Sequence, residues 1–290
     1  MQHISRREVK FARANGIDIA YQTFGHKDAS PLILIMGLGS QMVLWDGEFC
    51  RQLAAGGYRV IRFDNRDIGL STKLDWMQVP DTTAIAAALQ RGEVPAVPYT
   101  LEDMAADTAE LLTALGYDKA HIVGESMGGM IGQIMAINLP ERLLSLTSIM
   151  SSTGNPFLPP PSPEVLEILY TPFPTDHDGF VESFVRTFKV LSGAAMPLSE
   201  ALARKWAEQS YKRGLNPAGV ARQFAAIMAA GDRTEKLKSI SIPTLVIHGD
   251  VDPLLPVECG LATAAAIPGS RLKIIQEMGH ALPEAVWSQI

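Results

Sequence analysis

Short apolar runs alternate with stretches of helical periodicity along most of this chain. Residues 9–24 read as a hairpin about Asn15-Gly16, with Val9-Lys10-Phe11 on one arm and Ile17-Asp18-Ile19-Ala20-Tyr21 on the other. Pro31-Leu32-Ile33-Leu34-Ile35-Met36 is continuously apolar, as a strand buried on both faces must be. It runs into a flexible loop, Gly37-Leu38-Gly39-Ser40, and a helix over about 44–55. Tyr58–Phe63 is the next strand, closed by Asp64-Asn65-Arg66-Asp67-Ile68-Gly69-Leu70-Ser71. Buried strand, helix and strand at this spacing give parallel βαβ units, so the pattern predicts an α/β fold with a doubly wound sheet.

The next stretch, 74–98, is less regular. Asp81-Thr82-Thr83 caps a short Ala-rich helix ending at Arg91-Gly92, and Pro95 and Pro98 bracket its exit. This excursion reads equally as a lid fragment or as a surface insertion. Thr100 and Asp103 form a capping-box pattern that opens a helix to about Leu115. A strand at His121-Ile122-Val123 follows, then an Ala/Met/Ile-rich helix to Leu139 and a strand from Leu143 to Ile149. The Pro-rich run Asn155–Pro161 marks departure from the sheet. Helical patterns at 163–170, 178–192, 198–212 and 217–230 come next without a strand among them, which predicts an inserted helical cap. The α/β pattern resumes with Ile242–His248, a helix near 256–266, a strand at Leu272–Ile275 and a helix starting near Leu282. The expected division is a core of 1–153 and 236–290 with a cap of 154–235, and 74–98 as a further lid candidate.

Composition narrows the partners. The chain has 290 residues, 47% of them hydrophobic, enough for a large core, and its net charge of −6 argues against nucleic acid or an anionic membrane surface. The start, Met1-Gln2-His3-Ile4-Ser5-Arg6-Arg7-Glu8, lacks the apolar segment of a signal peptide, and no apolar run approaches the roughly 20 residues that span a bilayer. Two cysteines, Cys50 and Cys259, make no disulfide framework. A cytoplasmic protein without membrane partner is the expectation; homo-oligomer formation is left open.

The chemistry centres on Gly124-Glu125-Ser126-Met127-Gly128. A bare Gly-x-Ser-x-Gly is a weak signal, but here a strand precedes it and a helix follows, the setting of a nucleophile elbow. Gly124 and Gly128 let the chain bend sharply while Ser126 is lifted clear of the sheet, and the N–H of Met127 faces a developing oxyanion. A serine hydroxyl needs a base, and histidine titrates in the right range. Of six histidines, His3 and His26 lie about the hairpin, His121 opens a strand at the far end of the sheet, and His177 belongs to the cap. His248 ends a strand and does not leave room for an acid after a further strand, as His280 does. His280, after the last strand, fits the chain order serine, acid, histidine. The acid comes from His248-Gly249-Asp250-Val251-Asp252-Pro253; Asp252 is favoured and Asp250 is read as a turn former. The second oxyanion donor is the N–H of Leu38, where Gly37 and Gly39 allow close approach of the backbone. Met36, Gly37, Trp45 and Glu125 complete the expected substrate pocket, with Met36, Leu38, Trp45 and Met127 as its apolar floor. Cap residues Phe157, Leu158, Leu169, Phe173 and Phe184 either add to it or pack the cap onto the core.

Leu34–Gly39 with Trp45, Asp64–Ser71, Gly124–Gly129, Pro243–Asp252 and Gly279-His280 together resemble the α/β-hydrolases over nearly the whole chain. The Ser-Met-Gly-Gly elbow is similar to that of bacterial family V carboxylesterases, and Gly279–Pro283 with the Asn-Arg-Asp turn resembles the aclacinomycin-type methylesterases. The resemblance implies an eight-stranded, mostly parallel sheet, a triad of Ser126, Asp252 and His280, and Leu38 and Met127 as oxyanion donors. One departure is Met36-Gly37 where many relatives carry His-Gly. The expected activity is serine carboxylesterase action on small, uncharged, mostly apolar esters, with no cofactor and no metal. Rival readings keep the triad and change the bond, as in a polyketide methylesterase, thioesterase, C–C hydrolase or perhydrolase. Another rival is a catalytically silent ligand-binding protein.

Overall fold

The computed structural model describes residues 8–171 and 173–290; His3 and the rest of the charged start lie outside the described residues. Asn15 and Gly16 both take positive φ, 46° and 77°, the backbone that a two-residue hairpin turn requires between β1 (Lys10–Ala14) and β2 (Ile17–Phe24). The remaining strands are β3 (Ser30–Ile35), β4 (Tyr58–Phe63), β5 (Ala120–Glu125), β6 (Leu143–Ile149), β7 (Thr244–Gly249) and β8 (Arg271–Ile275). They form one sheet in the order β1-β2-β4-β3-β5-β6-β7-β8. The pairs β1/β2 and β2/β4 are antiparallel, and every later pair is parallel. The order reverses at β3, the usual place for a site in an α/β sheet.

The interior strands are buried on both faces because their side chains alternate between two apolar layers. In β3, Ile33 and Ile35 enter one layer with Ile61, Leu111 and Ile131, while Leu32 and Leu34 enter the other with Val60, Trp45 and Phe49. Helices α1 (Gly47–Ala55), α3 (Leu101–Ala114), α4 (Met127–Asn138) and α10 (Val257–Ala266) lie between strands as the periodicity predicts. Thr100 and Asp103 close a reciprocal capping box at the start of α3. The excursion carries α2 (Thr82–Gln90), capped by Asp81.

Between β6 and β7 run α5 (Pro163–Tyr170), α6 (His177–Ser192), α7 (Glu200–Arg213), α8 (Pro217–Ala230) and a short α9 (Thr234–Leu237) that the pattern did not foretell. Phe180, Phe184, Leu202 and Trp206 of α6 and α7 share an apolar layer with Leu34, Trp45 and Phe49, and α8 packs on α2. The segment expected as a helix from Leu282 is a 3-10 helix over Glu284–Gln289, after Pro283. Among the described residues no helix is long and apolar enough to cross a membrane.

Candidate active site

Ser126 joins β5 to α4 at φ 54°, ψ −119°, a left-handed conformation that a non-glycine residue holds only when its surroundings force it. Those surroundings are explicit. A Cβ on Gly124 would lie 2.1 Å from the Gly128 carbonyl oxygen, and one on Gly128 would lie 2.1 Å from that of Ile35. Ser126 N–H donates to the Ile149 carbonyl at 2.9 Å, and the Ser151 hydroxyl donates to the Ser126 carbonyl at 2.8 Å. The bend is thus clamped from β3, β6 and the loop after β6.

His280 and Asp252 come together at the carboxyl edge of the same sheet, both 5% exposed, with Nδ1 of the histidine 2.7 Å from Oδ2 of the acid. The other Asp252 oxygen accepts the N–H groups of Leu254 and Leu255 at 2.9 and 2.8 Å. Those bonds fix the carboxylate before the histidine reaches it. His280 N–H donates to the Leu191 carbonyl at 2.7 Å, and a Cβ on Gly279 would meet that oxygen at 2.3 Å, so the loop is moulded onto the end of α6. Asp250 turns the other way: its Oδ1 accepts the Glu277 N–H at 2.6 Å, the turn-forming role expected of it.

Of the remaining histidines, His248 also lies by the acid, its Nε2 3.5 Å from Asp252 Oδ2, and the others serve elsewhere. His248 is fully buried and donates through Nε2 to the Leu255 carbonyl at 2.7 Å. His121 bonds Ser145 at the other end of β5 and β6, His177 pairs with Asp178 and Glu208, and His26 lies beside Asp28.

Burial pulls the His280 imidazolium down, yet the Asp252 charge and hydrogen bond outweigh it and leave its pKa above the ordinary histidine value. Glu125, next to the serine, has its carboxyl pushed up to about 7, first by burial, with the positive His280 opposing and the negative Asp252 adding. Among the described residues no hydrogen bond links the Ser126 hydroxyl to His280. Such contacts commonly tighten only when substrate is bound.

A Cβ on Gly37 would lie 3.2 Å from the Ser126 Cβ, so the β3 loop passes close to the serine. Among the described residues neither Leu38 N–H nor Met127 N–H donates to a protein group, which leaves both available. The Met127 side chain is buried with Ile33, Ile35 and Ile131. Met36 and Trp45 are each 1% exposed in the opposite layer, Trp45 stacked on Phe49 at 5.8 Å. Their side chains pack the core, and Gly37, Leu38 and Glu125 are the predicted pocket residues with exposure or proximity at the serine. Of the cap apolars, Phe184 is buried against Phe188, whereas Phe157 is 93% exposed. Two surface clefts, of about 200 Å³ between α5 and α6 and about 430 Å³ beside Thr113–Lys119 and Arg142, contain none of the predicted triad, oxyanion or floor residues, although Phe173 lines the first. Among the described residues no three His, Cys, Asp or Glu side chains cluster as metal ligands.

Asn65 carries a role that the sequence alone did not assign. Its Nδ2 donates to the Met36 carbonyl at 3.0 Å and ties the turn after β4 to the loop after β3. The signal was present, since Asn65 lies in the Asp64–Ser71 turn, but nothing local says where an amide will reach.

A family model for the alpha/beta hydrolase fold matches residues 30–284. The rhodomycin D methylesterase DnrP of Streptomyces peucetius is 32% identical over 284 residues, covering 89% of this chain and 87% of the relative. A putative carbamate hydrolase, RutD of Caulobacter segnis, is 25% identical with 90% and 89% covered. A solved hydrolase structure from Pseudomonas aeruginosa is 26% identical, with a TM-score of 0.66 and 92% and 90% covered. With an eight-stranded sheet, a strained serine at the β5–α4 bend and a family match over most of its length, the chain belongs to the alpha/beta hydrolase fold family.

Proposed function

We propose that this protein is a serine carboxylesterase that cleaves small, uncharged, mostly apolar esters through an acyl-enzyme. The observation that carries the reading is the 2.7 Å bond between Asp252 and His280 at the sheet edge where Ser126 is held at positive φ. Asp252 keeps the Nδ1 proton of His280, which leaves Nε2 as the base. Ser126 Oγ adds to the ester carbonyl as its proton passes to Nε2, and the N–H groups of Leu38 and Met127 receive the oxyanion. Collapse of the tetrahedral species expels the alkoxide, which takes the proton from His280. Water then adds to the acyl-enzyme with His280 again as base, and the acid departs from Ser126. The helices between β6 and β7 serve as a cap over this edge, with α2 beside them.

The experiment is hydrolysis of p-nitrophenyl esters of short and long acyl chains by the wild type and Ser126→Ala, with fluorophosphonate labelling. Labelling at Ser126, preference for short chains and a loss in kcat of about 10⁴–10⁶ in the variant are expected. Retained activity in Ser126→Ala, or turnover of very long chains alone, refutes the reading. The 32% identity to a rhodomycin D methylesterase favours a second reading, a methyl ester of a bulky polycyclic acid. Faster turnover of such a methyl ester than of p-nitrophenyl acetate selects it.

A further inference from the structure

The loop that carries Leu38 is gripped from the helical insertion at two points. At the first, Gln223 of α8 is fully buried, and its Oε1 accepts the Gly39 N–H at 2.9 Å. Its Nε2 donates to the Arg66 carbonyl at 3.0 Å. The orientation of that amide is dictated by its neighbours, since a backbone N–H needs an acceptor and a carbonyl needs a donor. Gly39 is at φ 66°, and a Cβ there would lie 3.1 Å from the Val220 side chain, so α8 presses on the loop at the residue it holds. At the second point, Gln41 donates to the carbonyls of Ser210 and Gly214 at 2.9 and 3.0 Å and accepts from Arg213 Nε at 2.9 Å. From below, Asn65 holds the Met36 carbonyl. Next to Gln223, Arg222 pairs with Asp67 through two bonds of 2.8 and 2.7 Å, both side chains buried, which fixes where α8 can lie.

We propose that Gln223 is a positioning residue for the oxyanion site: held between Gly39 N–H and Arg66 C=O, it sets the backbone that aims the Leu38 N–H. This rests on the reading of Leu38 as an oxyanion donor. The oxyanion exists only after the nucleophile adds, so an error in the loop weakens the transition state more than the bound ester.

The test compares wild type, Gln223→Met and Asn216→Ala. Gln223→Met keeps the side-chain length and removes both hydrogen bonds. Asn216 donates to the Asp67 carbonyl at 2.9 Å, so its loss weakens α8 docking without touching residues 37–41. Gly39 amide exchange is read in all three proteins, with kcat, KM and the affinity of a trifluoromethyl ketone, whose adduct with Ser126 carries the oxyanion. In Gln223→Met we expect faster Gly39 exchange, a fall in kcat of about 10- to 100-fold, a parallel loss of ketone affinity and KM within about threefold. Unchanged Gly39 exchange, an effect confined to KM, or an equal loss of kcat in Asn216→Ala overturns the proposal. Should Gln223→Met not fold, Gln223→Glu is read at a pH where its carboxyl is protonated, so that it keeps an acceptor for the Gly39 N–H without adding a buried charge. Retained Gly39 protection is then expected, and its loss counts against the proposal. The exchange result is independent of ester turnover, so failure of the esterase reading and failure of this one are told apart.

Discussion

At the scale of single residues, Glu125 adds to the larger effect of Asp252 on the His280 pKa. Ionised, it favours the protonated form of His280, and His280 must be neutral to accept the Ser126 proton. With His280 as the base proposed above, the acid limb of kcat/KM is expected above the ordinary histidine value, through Asp252 first and Glu125 in addition. In Glu125→Gln it moves to lower pH, and an unmoved limb would show that the two groups are not coupled. The same substitution has a stability signature. The folded pKa of Glu125 is raised to about 7, so the native state holds a proton that the unfolded chain releases first. Stability from this group is complete below the unfolded carboxylate value and is lost as pH rises toward and through 7. The gain in melting temperature of Glu125→Gln over wild type should accordingly grow between pH 4.5 and 8. The two loop acids separate as cleanly: Asp252→Asn keeps its oxygen on the Leu254 and Leu255 N–H groups and turns an NH2 toward His280 Nδ1, and should lower kcat by about 10⁴. Asp250→Asn keeps an oxygen for Glu277 N–H and should stay within about tenfold of wild type.

At the scale of elements, the helical insertion is fastened to the sheet by charge as well as by apolar packing. Arg222 of α8 and Asp67 after β4 are both at most 1% exposed in their side chains. Removing one partner of such a pair strands the other in the interior, so Arg222→Met should cost about 3–5 kcal/mol in denaturant unfolding. The double variant Asp67→Asn/Arg222→Met should recover part of that, because Asn keeps an acceptor for the Leu74 N–H. A double variant no better than the single would mean that shape, not charge, fastens α8. These links explain what the sequence could and could not disclose. Leu32–Ile35 was readable as a strand because burial on two faces leaves an unbroken apolar run. The Thr100/Asp103 box was readable because its partners are three residues apart. Asp252 and His280 could be ordered by the architecture that a Gly-x-Ser-x-Gly bend implies. Gln223 was not readable, since its partners lie 184 and 157 residues away and a buried glutamine leaves no mark on helical periodicity. The same holds for Met36 and Trp45, named as pocket residues from their place in the chain but packed inside the fold.

At the scale of the molecule, the chain leaves the sheet after β6 and returns before β7 through one buried cation. Arg233 is 4% exposed and donates to the Ser152 and Gly231 carbonyls at 2.8 and 3.0 Å and to Gln133 at 3.2 Å. Its N–H also donates to the Thr153 carbonyl at 2.9 Å, and a Cβ on Gly154 would lie 2.2 Å from the Gly231 oxygen, so the outgoing and returning strands of chain touch. Burial pushes the guanidinium down to about 10, with the more distant Glu102 and Asp232 charges opposing. Neutral carbonyls thus stabilise the charge, an arrangement that holds both ends of the helical insertion to α4 at once. Arg233→Met would release three of these contacts while preserving the apolar stem. Were the clasp what unites the two ends, limited proteolysis should begin in the Pro-rich run 155–161 of the variant under conditions that leave the wild type whole. Global unfolding should remain a single transition, because Trp206 and Phe184 still bind the insertion to the apolar layer of Trp45 and Phe49. Cleavage spread evenly over the chain would instead mean that Arg233 supports the whole fold rather than the junction.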